Sequence, residues 1–174
     1  MTGAAVVIGV GNEFRRDDGV GPRVLGLLEE LAREMPGVRL AGCDGEPARL
    51  IGLWEGAELA VVVDAVRGDR PGRIHELDLR TAGRHRSSPS SHALGLGAAI
   101  ELAAALDRLP ARLAIIAVEA DDFRIGTGLS PLVADALPAV AARVARVVRA
   151  ARAAGGGPAD AGRRAEPGSG PGRR

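Results

Sequence analysis

Five short runs rich in β-branched and apolar residues punctuate the chain: Ala5 to Val10, Val38 to Cys43, Leu59 to Ala65, Arg73 to Leu79 and Leu113 to Val118. Gly, Pro or Asp bounds most of them, so each reads as a strand. Between them, apolar residues recur at helical spacing. Val20, Val24, Leu27, Leu28 and Leu31 form one stripe; Leu94, Ile100, Leu102 and Leu106 fall in an alanine-rich second helix; and Val140, Val144, Val147 and Val148 mark a last helix. Near-continuous apolar strands alternating with helices predict a mostly parallel sheet covered on both faces. The expected fold is therefore α/β, a three-layer α/β/α sandwich around a twisted sheet of about five strands. The Arg73 to Leu79 run alternates, with Ile74, Glu76 and Asp78 interleaved by His75, Leu77 and Leu79, and is expected at an edge. In such sheets ligands collect beyond the carboxyl ends of the strands, where the strand order reverses.

At 174 residues the chain suits one domain with a single sizeable core. From Gly155 the sequence turns to "GGGPADAGRRAEPGSGPGRR", which cannot bury enough apolar surface to offset the entropy of ordering. The reading is thus a domain over residues 1–154 and a disordered tail over 155–174. The net charge of +1 gives no reason to expect a polyanion partner, so nucleic acid is not favoured. All 23 basic residues are arginines, which excludes a P-loop lysine, a Schiff-base lysine and a lysine general base. The one cysteine, Cys43, has no partner for an internal disulfide or a thiolate zinc site, in keeping with a reducing, cytoplasmic setting. The apolar run from Ala4 has no basic segment ahead of it and is broken by Asn12, Glu13 and Arg15, which argues against its being a signal peptide, and charge interrupts the most apolar later stretches before the roughly 18 residues a membrane span needs, so membrane insertion is not expected.

The first strand leads into "VVIGVGNEFRRDDGVGPRV", which opens like a dinucleotide-binding turn. Gly9 and Gly11 fit that pattern, but Phe14 stands where a third glycine is needed, and Asp17 and Asp18 would set negative charge beside the phosphates. Asp44 would be the ribose-binding acid in that reading. A plainer alternative is that Asp17 or Asp18 caps the helix that Pro22 helps to start, which accounts for one aspartate and leaves the other without a role.

"GVGNEFRRDDGVG" resembles the amino-terminal signature of the hydrogenase maturation endopeptidases, and the likeness continues in order through "LAVVVDAV", "SSHALGL" and "GTGLSPLVADALP". It spans roughly Ala5 to Ala150, while "CDGEPARL" matches only loosely. The resemblance implies an endopeptidase (a hydrolase) that removes the C-terminal extension of a nickel–iron hydrogenase large-subunit precursor once nickel has been inserted. It also implies that Asp18, Asp64 and His92 form a metal-binding, catalytic trio, that the nickel arrives with the substrate, that no organic cofactor is needed, and that the enzyme acts as a monomer.

The residues themselves offer a parallel argument. Asp18 lies beyond the first strand and Asp64 ends the third; neighbouring strands stand about 4.8 Å apart, which would let both carboxylates enter one crevice. Converging carboxylates repel, and a cation relieves that. Ser90 or Ser91 can cap a helix that puts His92 in its first turn, where the helix dipole keeps imidazole neutral and able to bind metal. Oxygen and imidazole ligands suit Ni(II), Zn(II) or Cd(II), with coordination positions left open.

Each residue alone has a structural reading: Asp64 as a strand-end cap, His92 as a helix-start histidine. His75 and His85 are read as solvated, Asp17 as a cap or a support for Asp18, and Cys43 as an inert strand-end thiol. Asn12 either fixes the loop that carries Asp18, contacts substrate backbone or forms the turn. Ser90 and Ser91 make no serine-protease arrangement with the adjacent His92. Hydrolysis with metal assistance and hydrolysis with a carboxylate base both remain open. So do a non-cleaving nickel-sensing or precursor-binding protein and a Rossmann-like nucleotide binder.

Overall fold

The computed structural model describes residues 4–80 and 96–155. His85, Ser90, Ser91, His92, Leu94 and the tail from residue 156 onward lie outside the described residues. Strands β1 (Ala5–Val10), β2 (Val38–Cys43), β3 (Leu59–Arg67), β4 (Ile74–Arg80) and β5 (Arg112–Ala120) form one sheet in the order β2-β1-β3-β5-β4. All neighbours run parallel except β4, which pairs antiparallel with β5 at the edge, as its alternating sequence predicts.

The helices are α1 (Val20–Leu27), α2 (Glu29–Glu34), α3 (Pro47–Trp54), α4 (Gly97–Ala105) and α5 (Pro131–Gly155). Helices α1, α2 and α5 bury one sheet face around Val7, Val61, Val63 and Ile116, and α3 and α4 bury the other around Ile8, Val62 and Ile115. This is the expected three-layer sandwich. Alternate residues of the central strands feed the two cores, so β3 is apolar from Leu59 to Val63 and β5 from Leu113 to Val118.

Three local expectations change. The stripe from Val20 to Leu31 is two helices rather than one: Leu28 leaves helical geometry at φ −100°, ψ 0° and closes an i→i+3 bond to Leu25. This turns Leu27 outward while Leu28 and Leu31 stay buried. In α4 the buried face is Ala99, Ile100 and Ala103, and Leu102 and Leu106 are exposed; in a helix so rich in alanine the large residues do not mark the inner face. Helix α3 is not predicted by its sequence at all. It is capped by Glu46, whose carboxylate accepts from the Ala48 and Arg49 N–H groups, with Pro47 in the first turn. A glutamate at this position is a weaker sequence signal than Ser, Thr, Asp or Asn. The helix ends in the fully buried Trp54, whose Nε1 donates to Arg108 O at 3.1 Å.

Helix α1 lies unusually close to β1. A side chain on Gly9 would meet the Gly21 carbonyl oxygen at 2.5 Å, and one on Gly21 would run into the Val10 backbone. This contact sets the direction in which α1 leaves the sheet, and with it the loop over residues 11–19.

Candidate functional site

The strand order reverses between β1 and β3, since the chain leaves β1 toward β2 on one side and β3 lies on the other. Here the β1–β3 ladder ends at Gly9↔Val63, while β3 continues beside β5 as far as Arg67↔Ala120. Asp64 is the first residue past that ladder, so its carboxyl faces the gap where β1 turns away. It is only 9 % exposed. Burial and then the charge of Asp18 push its carboxyl up to about 7, against the pull of a hydrogen bond from the Ala65 N–H.

Asp18 reaches the gap from above. Gly11, at φ 128°, turns the chain under the Asp18 carbonyl, where no side chain would fit. The loop then winds into a 3-10 turn over Arg16–Gly19 that packs against β3. The Asp18 N–H donates to Arg15 O, and its Oδ2 accepts from the Asn12 N–H at 2.9 Å. Asn12 in turn closes the loop on itself, its Oδ1 accepting from Phe14 N–H. Of the roles open to Asn12 in the sequence, the turn-forming one is seen.

Neither aspartate caps α1. Its N-cap is Gly19, with no side-chain hydrogen bond. Asp17 points the other way, fully buried against the start of α5, where it accepts from the N–H and Oγ of Ser130. Proline at the third helical position and a tight 3-10 entry replace the expected cap.

The carboxyl edge carries one further buried carboxylate among basic partners. Glu119, 7 % exposed, accepts from Arg70 N–H at 3.0 Å and lies 2.6 Å from His75 Nε2, with Arg73 alongside. His75 is thus no free surface histidine; it braces the loop over residues 68–73 that crosses the end of β5. The pairing is invisible in sequence because 44 residues separate the two. Cys43 is buried, its thiol pushed up by burial, with Sγ accepting from Gly45 N–H, as an inert cysteine should be. Asp44 accepts from Glu46 N–H and pairs with Arg49, which engages it in the β2–α3 turn.

The structure therefore brings Asp18 and Asp64 together. Among the described residues no third His, Cys, Asp or Glu gathers with them into a metal-binding group. His92, the remaining member of the expected trio, lies outside the described residues. The described chain resumes at Leu96, which is buried at the head of α4; that helix descends to the start of β5, so its N-terminus lies at the same carboxyl edge as Asp64. Chemically, a buried carboxyl group whose proton affinity is raised by burial and by a neighbouring carboxylate suits either a shared divalent cation or proton transfer near neutral pH.

A profile described as "HycI: Hydrogenase maturation protease" matches residues 23–147, a span that contains Asp64 and His92 and begins just after Asp18. Solved structures are similar in fold. The hydrogenase maturating endopeptidase HybD from E. coli has a TM-score of 0.66 at 21 % identity, covering 84 % of this chain and 93 % of that one. The [NiFe] hydrogenase maturation protease HybD from Thermococcus kodakarensis has a TM-score of 0.60 at 22 % identity, covering 83 % and 98 %. HycI from the same archaeon has a TM-score of 0.56 at 21 % identity, covering 84 % and 92 %. A comparison with curated protein sequences finds no match. Among the described residues no helix is long and apolar enough to cross a membrane.

Proposed function

Since the chain belongs to the hydrogenase maturation protease family and is accordingly a peptidase, we propose that it cleaves the C-terminal extension from a nickel–iron hydrogenase large-subunit precursor that already carries nickel. The observation that carries this reading is the pairing of Asp18 with Asp64 at the reversal point of the sheet, the position where α/β enzymes bind their ligands. Asp18, Asp64 and His92 are the proposed ligands for the nickel that the precursor brings; a bound metal would supply Lewis acidity at the scissile peptide.

The chain's own contribution is orientation and proton handling. Asp18 is held by the turn over residues 11–18, and Asp64 by the rigid centre of the sheet, so neither carboxylate has to be ordered when substrate arrives. In the metal-free protein the Asp64 carboxyl holds its proton up to near neutrality, and a bound cation would favour the ionised, ligating form and release that proton. In this reading nickel comes with the substrate, no organic cofactor takes part, and a monomer meets its large partner.

The test is incubation of the purified protein with nickel-loaded and nickel-free precursor, followed by mass spectrometry of the large subunit. Cleavage of the nickel-loaded form alone is expected. Tight precursor binding without cleavage would instead identify a non-cleaving accessory protein.

A further inference from the structure

Asp17 takes no part in the proposed chemistry, yet among the described residues it is the most completely enclosed carboxylate, with 0 % exposure. Burying a carboxylate is costly unless donors compensate. Here three converge, all from one distant segment: Ser130 N–H on Oδ1 at 2.6 Å, and Ser130 Oγ at 2.9 Å and Asp122 N–H at 3.4 Å on Oδ2. The Asp17 N–H donates back to Asp122 O at 3.0 Å.

We propose that Asp17 is a positioning residue that sets the direction of Asp18, an inference that rests on the site reading above. Both residues belong to the same 3-10 turn, Arg16–Gly19. A 3-10 helix has about three residues per turn, so successive side chains project about 120° apart. Fixing the azimuth of one fixes the other. So short a turn has little stability of its own and cannot hold its rotation unaided. The hydrogen bonds made by Asp18, to Asn12 N–H and from its own N–H to Arg15 O, lie within the loop and would move with it.

Arg16 of the same turn reaches Thr127 O at 3.2 Å through a long exposed side chain, whereas Asp17 is the buried member whose side chain is bonded at Ser130, directly ahead of α5, the longest helix described. The segment over residues 121–130 is itself anchored. Arg16 N–H donates to Gly126 O and Gly126 N–H to Phe14 O, while Arg67 from the end of β3 stacks over Phe123 at 4.6 Å. The frame of α5 and β3 is thereby passed through Asp17 to Asp18, so that Asp18 meets Asp64 at a set orientation. The adjacent aspartates divide the work: one holds the turn, and the other faces the crevice.

The test uses full-length Asp17→Asn and Ser130→Ala proteins. Asparagine keeps the shape but only one acceptor oxygen: placed to receive the Ser130 O–H and the Asp122 N–H, it turns its NH2 against the Ser130 N–H, so the three donors can no longer all be met; Ser130→Ala removes only one donor. Nickel affinity is read by calorimetry, kcat and KM with nickel-loaded precursor, and amide exchange at Asn12, whose N–H reports the position of the Asp18 carboxylate. For Asp17→Asn we expect nickel affinity and kcat to fall about tenfold or more, the range for residues that orient metal ligands. The precursor KM should hold and Asn12 exchange should quicken, with smaller changes of the same sign in Ser130→Ala. If Asp17→Asn does not fold, Ser130→Ala decides by the same readouts. Variants that melt earlier yet keep wild-type kcat, nickel affinity and Asn12 exchange would reduce Asp17 to a structural clip and overturn the inference alone. Wild-type protein that cleaves nothing overturns the proposed function, and the nickel affinities then decide this inference; wild-type protein that binds no nickel overturns both.

Discussion

Asp64 and Asp18 approach the same gap from different elements, one from a central strand and the other from a loop, and the charge of Asp18 disfavours ionisation of Asp64. Burial is the larger cause, and with it the Asp64 carboxyl is raised from 3.8 to about 7.

That shift makes stability depend on pH in a defined direction. Between the unfolded value of 3.8 and the folded value of about 7 the native state holds a proton that the unfolded state has lost, so raising the pH weakens the metal-free fold, and the cost is complete above about 7. Asp64→Asn should therefore stabilise the metal-free protein at pH 8 by on the order of a few kcal/mol, each pKa unit being worth about 1.4 kcal/mol, and change little at pH 4. Denaturant melts at the two pH values check this; equal effects at both would mean that Asp64 ionises normally.

His92 is tested by metal affinity rather than by stability. His92→Ala should abolish tight binding of a divalent nickel surrogate, and His92→Gln should recover little, because a carboxamide is a poor substitute for imidazole on a borderline metal. The melting temperature of the metal-free protein should stay within a few degrees. Unfolding of both variants would favour a structural role, and undiminished metal affinity in both would place the site elsewhere.

Gly21→Ala should lower stability by about 1–3 kcal/mol or more, since the added carbon meets backbone that cannot move aside. Because α1 and β1 flank the loop carrying Asp18, the surviving folded protein should also process precursor more slowly. An alanine variant that melts with the wild type would show that the β1–α1 approach is looser than described.

Glu119 should respond to acid in the opposite sense to Asp64. Its carboxyl is held below the usual range, first by the His75 hydrogen bond and then by the Arg70 N–H and the charges around it. It thus contributes stability above the unfolded value of 4.5 that is lost as pH falls through the lower folded one. Glu119→Gln should melt earlier at neutral pH but lose less on acidification, and His75→Ala should quicken exchange of the Arg70 amide. Wild-type acid sensitivity in Glu119→Gln would refute the assignment.

Much of this protein is legible in its sequence because the signals are local. Continuous apolar runs such as Leu59 to Ala65 suit strands buried on both faces, and the alternation around His75 favours an edge strand, so the layers and the place of β4 follow from periodicity. Asp64 is singled out by the family resemblance; its place after the apolar run Leu59 to Val63 reads locally as a strand end, whereas the strand continues to Arg67. What sequence could not supply were relationships between distant segments. The two aspartates at 17 and 18 look alike in the chain; only the loop near Ser130, 113 residues away, buries one and leaves the other facing the crevice. His75 is an ordinary surface residue until Glu119 is folded against it, and α3 depends on Trp54 finding Arg108 across the α3–α4 layer. Local propensity and pattern act over a few residues, whereas hydrogen bonds and desolvation depend on what the completed fold brings into contact, so only the tertiary structure shows how Asp17 is buried and what holds the turn that carries Asp18.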